Sequence, residues 1–162
     1  MSATVSPPRV PTTATVPVAA DVVVALLSVN GATAAAERHG DVAMIAALQT
    51  YYGQVATALA RAEGEVVKVM GDGVLVTFPR AGAREAVAAL CLAQREANAH
   101  WQAFDAGCTV VVRATAGPVL RVALGPPGAE RPDVYGATLN ALWRLPVGEL
   151  SLSPALTAHL DA

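Results

Sequence analysis

The chain has 162 residues, 54% of them hydrophobic and 15% charged, with a formal net charge of −2. That length suits one domain with a substantial core, and the weakly acidic balance lacks the basic footprint of a nucleic-acid binder. The apolar run VVVALL at residues 22–27 is far too short to cross a bilayer, so neither nucleic acid nor a membrane is expected as a partner.

Residues 1–20, MSATVSPPRVPTTATVPVAA, have four prolines and four threonines. They read as a disordered Pro/Thr-rich tail or linker and lack the basic leader and apolar core of a signal peptide. One domain is expected over 21–162. It opens with a buried strand over 21–27, continuous in apolar residues and partly β-branched. A small-residue turn and a short helix closed by Gly40 follow. Asp41 is expected to cap a longer helix whose inward positions are Met44, Leu48, Tyr52, Val55 and Leu59, ending near Gly64.

Residues 66–78, VVKVMGDGVLVTF, place Asp72-Gly73 between two alternating apolar runs, a strong hairpin signal. Residues 83–100 form an amphipathic helix with Val87, Leu90, Cys91 and Ala97 inward. Two strands, CTVVVRA and GPVLRVAL, are separated by a Gly-Pro turn, and GPPGAERP is a loop. YGATLNALWRL is helical until Pro146 forbids continuation. ELSLS is a short strand, and PALTAHL starts a last helix with proline in its first turn. The order β-α-α-β-β-α-β-β-α-β-α predicts an α+β fold, a sheet layered with helices rather than a doubly wound Rossmann sheet. Cys91 and Cys108 have neither metal-ligand spacing nor a disulfide framework, which suits a reducing, cytoplasmic setting. No phosphate-binding glycine loop of either usual type is present.

Four stretches carry chemistry in their order and spacing: LLSVNGATAAAE (26–37), VKVMGDGVLVTF (67–78), ATAGPVLRVALG (114–125) and PDVYGATLNALWRL (132–145). Together they resemble the catalytic domain of class III adenylyl and guanylyl cyclases, over roughly residues 21–158. The resemblance implies a ferredoxin-like βαβ-type sheet and an active site formed between two domains arranged head to tail. There, the ribose 3′-oxygen of a nucleoside triphosphate attacks the α-phosphate and releases pyrophosphate. It also implies further C-terminal strands with a phosphate-binding lysine, which this sequence does not show. The implied cofactors are magnesium or manganese, and the implied partners are ATP or a related adenine nucleotide and a second cyclase-type domain, in a homodimer or heterodimer.

Carried over position by position, Asp72 matches the second metal-binding aspartate. Lys68 and Asp133 match the two base-selecting positions in their adenylyl form: an ammonium donates to the adenine ring nitrogen, and a carboxylate accepts from its amino group. Asn140 and Arg144, four apart on one helix face, match the asparagine and arginine that contact the transition state. The pattern breaks at two places. Ser28 occupies the first metal aspartate's position, and Val111 occupies that of the triphosphate arginine. Arg113 and Arg121 lie nearby but out of register. Both losses fall on the metal and triphosphate face, while the base-reading and transition-state residues remain. The expectation is an adenylyl cyclase-like domain, weak or inactive alone and more competent with a metal-binding partner. The alternative is a pseudoenzyme acting as a dimerisation or nucleotide-sensing module. An unrelated ferredoxin-like interaction domain is the third reading.

Overall fold

The computed structural model describes residues 16–161. Its elements are β1 (Val18–Asn30), α1 (Ala32–His39), α2 (Asp41–Ala60), β2 (Glu65–Met70), β3 (Gly73–Pro79), α3 (Ala83–Phe104), β4 (Thr109–Leu124), β5 (Arg131–Tyr135), α4 (Ala137–Arg144), β6 (Ser151–Leu152) and α5 (Pro154–Leu160). The strands form one sheet in the order β2-β3-β1-β4-β5, with the short β6 parallel to β4. The portion β2-β3-β1-β4, antiparallel throughout, is the ferredoxin-like arrangement that the resemblance implied.

Alternation along β1 divides the core. Val23, Ala25, Leu27 and Val29 face the layer of α1, α2, α3 and α5, where Tyr51, Leu59, Leu90, Trp101 and Leu156 are buried. Val22, Val24 and Leu26 face the other way, against Leu75, Val119, Val134 and Leu142 under α4. Because both faces of β1 are covered, its sequence is continuously apolar rather than alternating. Each buried Val or Leu contributes about 1.5–3 kcal/mol relative to exposure.

Several boundaries differ from expectation. β1 begins at Val18, inside the stretch assigned to the tail; residues 1–15 of that stretch lie outside the described residues. The two strands expected around Gly117-Pro118 are one, β4, paired to β1 without interruption from Val18↔Arg121 to Asn30↔Thr109. Pro118 sits between the stretch of β4 paired to β6 and the stretch paired to β5, where one side of β4 has no strand partner among the described residues and a missing N–H is tolerated. β5 occupies residues read as loop. Asp41 is the first residue of α2 rather than its cap, a place where an acid still favours the helix dipole. On α2 it is Tyr51, not Tyr52, that is fully buried.

Candidate nucleotide site

The β2–β3 hairpin turns on Gly71-Asp72, with Met70 paired to Gly73 and Gly71 at φ +61°. Positive φ at the first central residue alone is the type II′ pattern, which takes glycine there. The turn therefore centres on Gly-Asp, one residue earlier than the Asp-Gly signal, and Asp72 stands at its tip. Its Oδ2 accepts a 2.8 Å hydrogen bond from the backbone N–H of Val29. The Tyr52 hydroxyl donates to the Gly71 carbonyl, pinning the same turn to α2. Beside it, the buried Tyr51 hydroxyl has no hydrogen-bond partner among the described residues. Burial, and then the negative charge of Asp72, push its pKa above the ordinary tyrosine value.

Ser28 and Val111 are direct cross-strand partners in the β1–β4 ladder, so their side chains share the face that carries Leu26. Val111 is 4% exposed, and Ser28 is half-buried. Arg113 lies two residues along β4 on that face and donates to the Trp143 carbonyl at 3.3 Å. Arg121 is engaged elsewhere, with Glu65 at 2.7 Å and the buried Thr77 hydroxyl at 3.3 Å. No guanidinium occupies position 111.

The residues here do not fit the pair of cations that the cyclase resemblance implies. Hard divalent cations need several oxygen ligands with strong negative charge. Ser28 is neutral, and one oxygen of Asp72 is committed to Val29. No group of three or more His, Cys, Asp or Glu among the described residues is placed to hold a metal ion.

Lys68 and Asp133, which the resemblance matched to the two base-selecting positions, are in contact. Lys68 Nζ donates to Asp133 Oδ2 at 2.8 Å, although β2 and β5 lie at opposite ends of the sheet order. The Glu65–Arg121 ion pair makes a second link, from β2 to β4. The other oxygen of Asp133, Oδ1, accepts the N–H of Val134 at 2.8 Å, which fixes the carboxylate's orientation. Asp133 lies on β5 rather than in a loop, paired with Val122.

α4 carries Asn140 and Arg144 at the surface while Leu142 is buried beneath. Neither polar side chain has a hydrogen-bond or ion-pair partner among the described residues. The helix start is fixed by the Thr138 hydroxyl, which donates to the Pro118 carbonyl at 2.6 Å. A Cβ at Gly117 would stand 2.6 Å from that hydroxyl, so glycine there is required by close approach. Near these elements Met70, Tyr135 and Trp143 are exposed apolar side chains. The sequence reading missed the Asp72–Val29 bond and the Glu65–Arg121–Thr77 contacts; no local pattern signals partners so far apart in the chain.

Neither protein-family models nor curated proteins match this chain. Solved structures do. The adenylyl cyclase CyaB from P. aeruginosa superposes with a TM-score of 0.81 at 17% identity, covering 90% of this chain and 82% of that one. The guanylyl cyclase Cya2 gives 0.77 at 21% identity, with 88% and 79% covered. A class III adenylyl cyclase-like ATP-binding protein from Pseudomonas aeruginosa gives 0.73 at 13% identity, with 87% of this chain and 35% of that one covered. With the antiparallel β2-β3-β1-β4 sheet and its helix layers, these superpositions show that the chain has the fold of a class III adenylyl/guanylyl cyclase catalytic domain.

Proposed function

We propose that this domain recognises an adenine nucleotide as one half of a cyclase-type dimer and has little or no cyclase activity by itself. The observation that carries the reading is the Lys68–Asp133 contact at 2.8 Å. An ammonium beside a carboxylate offers one donor and one acceptor, which complement the ring nitrogen and amino group of adenine. Guanine presents the reverse pattern, a ring N–H and a carbonyl, to the same pair.

Arg144 and Asn140, which have no side-chain partner among the described residues, can engage groups outside their own domain. The guanidinium's planar donors suit phosphate oxygens. In a composite site the ribose 3′-oxygen would form its new bond to the α-phosphorus. The bond to the pyrophosphate oxygen would break, and the 3′-hydroxyl proton would pass to solvent. Arg144 would meet charge growing on the phosphate oxygens, and Asn140 would orient the sugar. Any divalent cation would be held by a partner with paired carboxylates. Met70, Tyr135 and Trp143 form the apolar part of the face that such a partner would cover.

Ser28 and Val111 favour a second reading, a nucleotide-sensing or dimerising pseudoenzyme, and one structural relative is itself described as an ATP-binding, cyclase-like protein. Calorimetric titration with ATP and GTP, with and without magnesium, tests the first claim: ATP is expected to bind more tightly. Equal affinities would remove the base-recognition argument. Cyclic AMP assays separate the two readings. Production appearing only when a metal-binding cyclase domain is added favours the half-enzyme, and background activity throughout favours the pseudoenzyme.

A further inference from the structure

We propose that Asp72 is a backbone clasp and not a cation ligand, so that this chain binds no divalent ion at its site face. The β1–β3 ladder ends at Leu27↔Val74, whereas the β1–β4 ladder runs three residues further, to Asn30↔Thr109. Among the described residues, the last residues of β1 therefore have a strand neighbour on one side only. A buried backbone N–H on the other side needs an acceptor from elsewhere. Asp72 supplies it to Val29, at 2.8 Å and 43 residues away in sequence. The side chain extends the ladder by one rung beyond the point where strand β3 gives way to its turn.

The turn is built to hold that carboxylate in place. Gly71 takes the positive φ that the tight connection demands, and its carbonyl receives the Tyr52 hydroxyl. The hairpin tip is thus tied to β1 by Asp72 and to α2 by Tyr52. The charge-assisted Asp72 bond is stronger than a neutral one, which gives position 72 a reason to be acidic that is independent of metal binding. Ser28 points to the opposite sheet face from Val29 and brings no charge. The inference does not depend on whether the domain binds nucleotide.

Amide-resolved NMR on the whole chain tests it, with Asp72→Asn and Asp72→Ala. Asparagine keeps an acceptor oxygen and loses the charge; alanine loses both. Hydrogen exchange at the Val29 amide is expected to accelerate about fivefold in Asp72→Asn, which keeps only a neutral bond, and further, about tenfold or more, in Asp72→Ala. Manganese added to the parent chain at up to about 1 mM, the weak end of carboxylate sites, is expected to broaden amides 28–31 and 71–73 no more than those beside the exposed Glu37 and Asp41. Saturable broadening confined to the first two segments and lost in Asp72→Asn would overturn the proposal. So would unchanged Val29 exchange in a folded Asp72→Ala chain. If that variant does not fold, the Asp72→Asn exchange rate and the manganese titration still decide, since a cation ligand predicts broadening that the clasp does not.

Discussion

Exchanging the charges of the Lys68–Asp133 pair, Lys68→Asp with Asp133→Lys, separates its structural contribution from the base recognition proposed for it. The pair is 2.8 Å apart with side chains 36% and 19% exposed, so solvent screens it and its coupling is about 0.5–1 kcal/mol. Each single alanine should cost that coupling. Asp133→Ala should cost slightly more, because the Val134 N–H loses its acceptor. The exchanged chain regains the ion pair but not the Val134 bond, which places it within about 1.5 kcal/mol of the parent by urea denaturation. Nucleotide preference should behave differently. A carboxylate at 68 accepts from the guanine ring N–H, and an ammonium at 133 donates to its carbonyl. At a conservative value of about 1 kcal/mol per mismatched contact, within the 1–3 kcal/mol of a base-edge contact, the parent should favour ATP over GTP roughly tenfold or more. The exchanged chain should favour GTP to a similar degree. Calorimetry or competition binding reads both. A stable exchanged chain that still prefers ATP would refute base recognition by this pair.

Three further outcomes follow from other contacts. The Asp105 carboxylate is held well below the usual range, first by the Arg38 guanidinium and then by the Gly107 N–H. Its contribution is complete above the unfolded value near pH 4 and is lost as pH falls through the lower folded value; Asp105→Asn should therefore flatten the loss of stability on acidification, and an unchanged acid profile would count against it. Tyr51 is pushed upward by burial, then by Asp72, so stability should decline as pH rises above the ordinary tyrosine value of about 10. Tyr51→Phe removes a buried hydroxyl without a partner among the described residues and should remove much of that decline while stabilising the fold at neutral pH by about 1 kcal/mol; destabilisation in a neutral-pH denaturation curve would show that the hydroxyl is satisfied. Finally, Val111→Arg alone should destabilise by about 3 kcal/mol or more, because it buries an unpaired cation. Adding Ser28→Asp should recover at least about 1 kcal/mol of that loss, as measured by a double-mutant cycle.

The fold was legible where pattern and period agree. The continuous apolar run of β1, the hairpin signal and the amphipathic residues of α3 each arise from burial, which composition records directly. β5 was not legible, because Arg131-Pro132-Asp133 has the chemistry of a turn and becomes a strand only by pairing with the far end of β4. The Gly117-Pro118 step was misread as a break for the same reason. Glycine there answers to Thr138 on α4, twenty-one residues later, a tertiary demand that looks locally like a turn. In the site, Lys68 and Asp133 could be matched by resemblance, but their contact spans 65 positions and follows from the folded sheet. The Asp72–Val29 bond had no signal at all, since any hairpin-tip aspartate looks the same in sequence.

Register also explains why Ser28 and Val111, the two departures from the cyclase pattern, belong together. Ser28 and Val111 are not merely on one face; they are opposite each other in the β1–β4 ladder, where side chains stand about 4.5–5.5 Å apart. A guanidinium at a position as enclosed as 111 is tolerable beside an acid at 28 and costly beside a serine. A carboxylate at 28 without the guanidinium would in turn be crowded with Asp72 in one negatively charged corner. The two positions form one electrostatic unit, and a serine facing a valine is its neutral state. In that state the surrounding groups find other work: Arg113 turns to the Trp143 carbonyl, and Asp72 serves the Val29 amide. Substituting either residue singly perturbs a settled network, so a charged pair is expected to be tolerated there only when both positions change together.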